Sequence, residues 1–392
     1  MQAKKKALLT IFLVVFIDLI GFGMMIPILP YYAKSFGASA TLLGFLMMSY
    51  SGMQFLFSPF WGRFSDRMGR RPVLLTCIAG IASSMLLLGF ARSLFWLFAG
   101  RLLAGFFGAN ISTAQAYIAD VTPPEERTKG MGMIGAAFGL GFLFGPALGG
   151  VLSKWGYGTV AFAVAALALA NWLFAVFFLK EPELPENLRR EHRARFTWKQ
   201  WRMTLAEEST GIPILLFFLV TFGMAQMETS FAYFILARFG LGAMNAGLIL
   251  AGMALMMAII QGGAIGRLAK QAGEMRLVLV GTLIMIPGLV SASFVPYLKP
   301  FVLSMLVYVI GYSIVSPSLS SLVSKGAGKS VQGLTMGIYQ SAGSLARMLG
   351  PILAGFLYDN LGMSAPFLSA SFFFVAVLFI LLRGSIKKVS SK

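Results

Sequence analysis

Apolar residues run in long stretches along the whole chain, at roughly 7–30, 41–61, 72–90, 94–119, 130–152, 158–179, 212–237, 242–265, 277–295, 300–323, 334–357 and 365–382. A helix needs about 20 such residues to cross a bilayer. The pattern predicts an all-α polytopic membrane protein with twelve spanning helices. The first run is too long for a signal-peptide core and has no small-residue cleavage site, so it reads as the first spanning helix.

The longest connection, about 180–211, holds KEPELPENLRREHRARFTWKQWRMTLAEE and carries both charge signs. It divides a first set of six runs, 1–179, from a second, 212–392. Trp198, Trp201 and Met203 among its basic residues fit a short amphipathic helix on the inner membrane surface, or a plain solvated linker. The two sets repeat. GRFSDRMGRRPVLL, from Gly62, is echoed by GRLAKQAGEMRLVL, from Gly266, at both glycines and the first arginine. Gly145-Pro146 is echoed by Gly350-Pro351, and the two offsets are 204 and 205. Two six-helix bundles related by an axis along the membrane normal are a transporter plan, with substrate handled near mid-depth.

Composition agrees: 58% of residues are hydrophobic and 12% charged, too little polar surface for a soluble chain of 392 residues. The net charge of +18 raises nucleic acid as a partner, and its distribution removes it. Among lysines and arginines, only Lys34, Arg92, Lys154, Arg238 and Lys299 fall in the outer connections, and Arg101 and Arg347 inside runs. The rest lie on the side of the N-terminus. By the positive-inside rule both termini are cytoplasmic. The lone Cys77 excludes a disulfide framework and a cysteine metal site, and the lone His192 lies in the charged connection. No metal and no cofactor are expected.

MQFLFSPFWGRFSDRMGRRPVLL, GRLLAGFFGAN and GFLFGPALGG resemble three signatures of the major facilitator superfamily. With DLIGFGMMIPILP and AYIADVTPPEER, the first half is similar to tetracycline/proton antiporters. The resemblance implies the major facilitator fold, two pseudo-symmetric bundles of six helices. It departs where those proteins carry acids in the third and ninth spans. Ser84 stands at the third-span position, and the ninth span has no acid. Tetracycline–metal complexes are therefore a poor fit as cargo.

The charged hairpin reads as a cytoplasmic latch of Gly62, Asp66, Arg67, Gly69, Arg70 and Asp120. Gly62 and Gly69 permit a tight turn, and Asp66 suits the positive end of a neighbouring helix. The resemblance makes that neighbour the eleventh span, with Arg70 or Arg67 bridging to Asp120. It also implies that Gly141, Gly145, Pro146, Gly149 and Gly150 seal the pathway against leak, and that Arg101 takes part in proton coupling.

Inside the runs only Asp18, Glu228, Arg101 and Arg347 are charged well within the hydrocarbon, and each is costly there. At about 1.5 Å per residue, Glu228 and Arg347 sit at about 24 and 21 Å from the cytoplasmic ends of their runs, level enough to pair. Asp18, at about 16 Å, and Arg101, at about 27 Å, are too far apart for direct contact. Asp18 is then the acid left to take and release a proton, with Glu228 the other candidate and Arg101 and Arg347 the cations of the coupling set. Arg101, Gly105, Gly108, Ser112 and Gln115 share one helical face, turned toward the cavity or a partner helix, with packing against the first span as the alternative for the glycines; Asn110 lies opposite and reads as packing. Met25, Gln54, Ser112, Gln115, Met224, Tyr308, Tyr312 and Gln340 complete the expected cavity.

Together these features imply a proton-coupled antiporter that exports small amphipathic or cationic compounds by alternating access. A metabolite symporter or uniporter, or a lipid flippase, is the alternative. Nothing inside the runs provides a hydrolase's nucleophile and base, so an enzyme is not expected. Expected partners are a small molecule, protons and membrane lipid, with the chain a monomer. The short outer connections fit a bacterial inner membrane.

Overall fold

The computed structural model describes residues 2–122, 127–182, 202, 204–263, 265–327 and 332–390. The expected surface helix at Trp198, Trp201 and Met203 and the position of His192 lie outside them. The described residues form helices and no strand. In order these are α1 (Gln2–Met25), α2 (Leu29–Ser35), α3 (Ala40–Met68), α4 (Arg70–Gly89), α5 (Leu94–Phe107), α6 (Ile111–Val121), α7 (Arg127–Leu152) and α8 (Tyr157–Phe178). After the long connection come α9 (Glu208–Phe239), α10 (Ala243–Gly263), α11 (Ile265–Ala272), α12 (Glu274–Phe294), α13 (Leu298–Gly326), α14 (Gln332–Leu361) and α15 (Ala365–Ser390). Each of the twelve predicted runs holds a helix, with α2 and α11 as short additions and the fourth run divided between α5 and α6.

Three boundaries differ from the apolar pattern, each for a physical reason. The first run stops at Met25, and Pro30 opens the short α2 from its first turn, where a missing N–H costs nothing. The second run continues past its apolar end as an amphipathic helix to Met68, burying Trp61 and Ser65 and exposing Arg63, Asp66 and Arg67. Gly62 therefore lies inside a helix, and the turn is the single residue Gly69, at φ 100°. Gly273, its counterpart in the repeat, separates α11 from α12 at φ 78°. Side chains strain at such angles, so the repeated glycine is a repeated turn. The fourth run breaks at Gly108–Asn110 into a 3₁₀ turn between α5 and α6.

The helices form two compact units. The first holds α1, α2, α3 from Ser49, α4 to α8, and the start of α10 to Ala251. Its centre is the pair α1–α7. A Cβ at Gly141 would come within 2.7 Å of Leu19, one at Gly145 within 2.7 Å of Gly23, and one at Gly149 would overlap the Met24 carbonyl. The start of α10 joins this unit through Gly150, which abuts Ala243, Met244 and Gly247.

The second unit holds the start of α3 to Met48, α9, the remainder of α10, and α11 to α15. Here Gly44 lies on Pro351, and Gly355 on Ala40. One turn further, Asp359 accepts the N–H groups of Ala40 (3.1 Å) and Thr41 (2.8 Å), capping α3. An aspartate at the end of its own helix is opposed by that helix's dipole and favoured by the start of another. Asp359→Ala should cost about 1 kcal/mol, the usual worth of a cap. The check is a lower unfolding temperature of the purified protein, with Asn360→Ala as the neighbouring control.

Candidate functional site

Asp18 lies two-thirds of the way along α1, half-buried within the first unit. Its two carboxylate oxygens have separate partners. Asn110 Nδ2 donates to Oδ2 at 3.0 Å, and Asn171 Nδ2 donates to Oδ1 at 3.1 Å. The Asn171 amide also donates to the Val14 carbonyl, one turn earlier on α1, at 2.9 Å. Cys77, fully buried on α4, lies within electrostatic reach. Asp18 is thus gripped by two neutral amides, one from the break between α5 and α6 and one from α8.

Arg101 is buried on α5, and its guanidinium lies over the Tyr50 ring at 4.2 Å from the centroid. A cation over an aromatic face is attracted by the negative face of the ring. The expected face of the fourth run meets a partner helix, and that helix is α3. Gly105 and Gly108 pack on Tyr50 of α3, not on α1. Ser112 donates to the Ser58 carbonyl of α3 at 3.2 Å, and Gln54 donates to Gly108 at 2.9 Å. Asn110 serves Asp18 instead of packing. Arg101, Gly105, Gly108 and Ser112 all meet α3, so the face runs through the 3₁₀ turn, and Asn110 on the opposite side reaches α1.

In the second unit Glu228, half-buried on α9, and Arg347, exposed on α14, both lie within electrostatic reach of Tyr312. Glu228 also reaches Tyr308. Tyr308 stacks with Tyr312 at 6.3 Å, and Tyr339 stacks with Phe217 at 3.8 Å. Arg347 folds back along α14, so that a Cβ at Gly343 would lie 3.5 Å from its Nη1. Met224 is half-buried and Gln340 exposed, whereas Met25 and Tyr308 are buried within their units. Gln115 is half-buried on α6.

At the α3–α4 hairpin, Arg70, not Arg67, reaches Asp120, with Nε to Oδ2 at 2.8 Å. Its Nη1 contacts Asp66 and Ser65, both at 2.6 Å. Arg67 is exposed. Glu181 accepts the backbone N–H groups of Arg70 (2.6 Å) and Arg71 (2.8 Å), capping α4. The eleventh span, the expected neighbour of Asp66, is α14, and residues 328–331 before it lie outside the described ones. Ser84, where an acid was expected by resemblance, donates to Gly80 of its own helix at 2.6 Å.

Residues 11–351 match the profile of the Major Facilitator Superfamily. The chain belongs to that superfamily. As a major facilitator it is an integral membrane transporter of small molecules and not an enzyme. It is similar to the tetracycline resistance protein, class B, of Escherichia coli, at 31% identity over 88% of this chain and 86% of that one. It is also similar to multidrug resistance protein 2 of Bacillus subtilis (strain 168), at 29% identity over 94% of each chain. Among solved structures it resembles the human organic anion transporter MFSD10, at 27% identity and a TM-score of 0.72, over 96% of this chain and 99% of that one.

Two residues that organise this major facilitator chain were missed in the sequence. Asn171 is the one amide in the apolar α8, TVAFAVAALALANWLFAVFF, and such a side chain needs a partner inside a membrane span. That signal was available. Glu181 carried none, because a carboxylate in a charged connection looks like any other until the fold brings it to a helix start.

Proposed function

We propose that the chain is a proton-coupled antiporter that exports small amphipathic or cationic compounds by alternating access. The observation that carries this reading is Asp18, deep in α1, with each oxygen held by a neutral amide. A carboxylate bound this way can exchange a proton without first breaking an ion pair, and when ionised it attracts a cation. The two uses exclude one another, and that exclusion is the coupling rule. In this reading Glu228 and Arg347 in the second unit, and Arg101 in the first, share in proton coupling. Met224, Tyr312 and Gln340 give the second unit adaptable apolar and polar surface for cargo. Relatives described as tetracycline and multidrug resistance proteins support export as the direction.

In this reading the bundles divide at about 180–211, both termini are cytoplasmic, and the protein works as a monomer in a bacterial inner membrane. The Arg70–Asp120 cluster then lies on the cytoplasmic side and serves as the latch. The glycines from Gly141 to Gly150 keep the pathway sealed through the α1–α7 contact. A second reading, an organic anion as cargo, draws on the exposed Arg347 and on the likeness to a human organic anion transporter.

The test is proton release from the purified protein on adding the cation tetraphenylphosphonium or the anion p-aminohippurate. Release with the cation that vanishes in Asp18→Asn is the expected result. Equal release in both proteins would move the proton to Glu228. Binding without release in either would overturn antiport in favour of a uniporter or flippase, and binding of the anion alone would favour the second reading.

A further inference from the structure

We propose that Asn171 and Asn110 are positioning residues that sense the protonation of Asp18 and pass it to α8 and to the α5–α6 break. This rests on the reading of Asp18 as the proton carrier. Asn171 is fully buried, and its Nδ2 lies between two acceptors, the Val14 carbonyl at 2.9 Å and Asp18 Oδ1 at 3.1 Å. Turning the amide over would set an oxygen against both, so the network fixes which atom faces Asp18. Its Oδ1 is buried without a hydrogen-bond partner. Such a group is costly to bury, and the amide keeps this orientation because both of its donor bonds depend on it.

The grip on α1 therefore has two parts with different natures. The bond to Val14 joins neutral groups and does not depend on a proton. The bond to Asp18 is charge-assisted while the carboxylate is ionised, and such bonds are roughly twice as strong as neutral ones. Asn110, 6% exposed, makes the same kind of bond to the other oxygen from the 3₁₀ turn. Protonation weakens both grips together and leaves Val14 as the pivot. Short 3₁₀ segments within a helix often mark hinges, and here the carboxylate's partner stands at the end of one.

The other groups around Asp18 do not duplicate this role. From α4 comes Cys77, which is buried and uncharged as a thiol. From α5 comes Arg101, which lies over Tyr50. Against Asp18's own turn α7 presents Gly141, which packs on Leu19.

The test uses infrared difference spectra of the full-length protein in lipid, between acid and alkaline pH. A carboxylic C=O band that disappears in Asp18→Asn identifies the Asp18 proton. Asn171→Leu and Asn110→Leu should each move that band, because each removes a donor from one oxygen. A second measurement needs no variant fold. The chain has five asparagines, Asn110, Asn171, Asn187, Asn245 and Asn360. In wild-type protein labelled with ¹⁵N-asparagine, the Asn110 and Asn171 side-chain signals should shift with the same midpoint as the band, and the other three should not follow it. No band lost in Asp18→Asn would defeat the reading of Asp18 as carrier. A band lost there but unmoved in both leucine variants, with amide signals indifferent to pH, would overturn the sensor role alone.

Discussion

Replacing Gly149 by valine should abolish recovery of folded protein, while Gly139→Ala on the same helix should be tolerated. The two glycines share α7 and differ only in what faces them. A Cβ at Gly139 would meet nothing within 4 Å. One at Gly149 would overlap the Met24 carbonyl of α1, and backbone has no rotamer with which to move aside. Relief requires α1 and α7 to separate along a seam that also holds Gly145 against Gly23 and Gly141 against Leu19. Overpacking by even small groups costs about 1–3 kcal/mol, and valine adds two methyl groups beyond the first clash. Against a total stability of about 5–15 kcal/mol, loss of the whole seam is decisive. Gly139→Ala, by contrast, gains up to about 1 kcal/mol of helix propensity. Size-exclusion profiles and unfolding temperatures of the two purified variants are the measurement. Gly149→Val eluting and melting like wild type would show that the α1–α7 approach is looser than described here.

That seam shows how far the sequence could be read. The glycine series from Gly141 to Gly150 was visible as a close-packing stripe, and so was the repeat that aligns Pro146 with Pro351 in the sequence. Apolar length was enough to locate twelve helices, because a bilayer imposes a minimum run that a pattern reveals directly. What the pattern could not give was any event that changes helical phase or crosses between helices. The 3₁₀ turn at Gly108–Asn110 has no signature beyond a small-residue pair, and nothing in the pattern showed that Asn110, opposite the glycine face, would meet Asp18. The packing of Gly44 on Pro351, and of Gly150 on Gly247, depends on which helix ends meet. The amphipathic extension of α3 to Met68 was hidden for a simpler reason. An apolar run marks where a helix is greasy, not where it stops, and Arg63, Asp66 and Arg67 are ordinary helix residues once they face outward.

Arg70→Ala should destabilise the protein by about 3–5 kcal/mol, the cost of leaving a buried charge without its partner. The partner is Asp120, whose side chain is 1% exposed and whose Oδ2 accepts from Arg70 Nε at 2.8 Å. Asp66 loses the same guanidinium but is 42% exposed, so water replaces much of what it loses. The backbone of residue 70 survives the substitution, and with it the Glu181 cap on α4. The loss is therefore attributable to Asp120 and not to the hairpin turn. Adding Asp120→Asn to Arg70→Ala should restore most of the stability, since a neutral amide has no stranded charge. Thermal unfolding of the three purified proteins decides the matter. If Asp120→Asn gives no recovery, the arginine acts mainly through Ser65 and the packing of its aliphatic stem. Recovery of stability without recovery of transport would separate two roles of one ion pair: holding the end of α6 in place, and the charge-dependent latch that we propose for it.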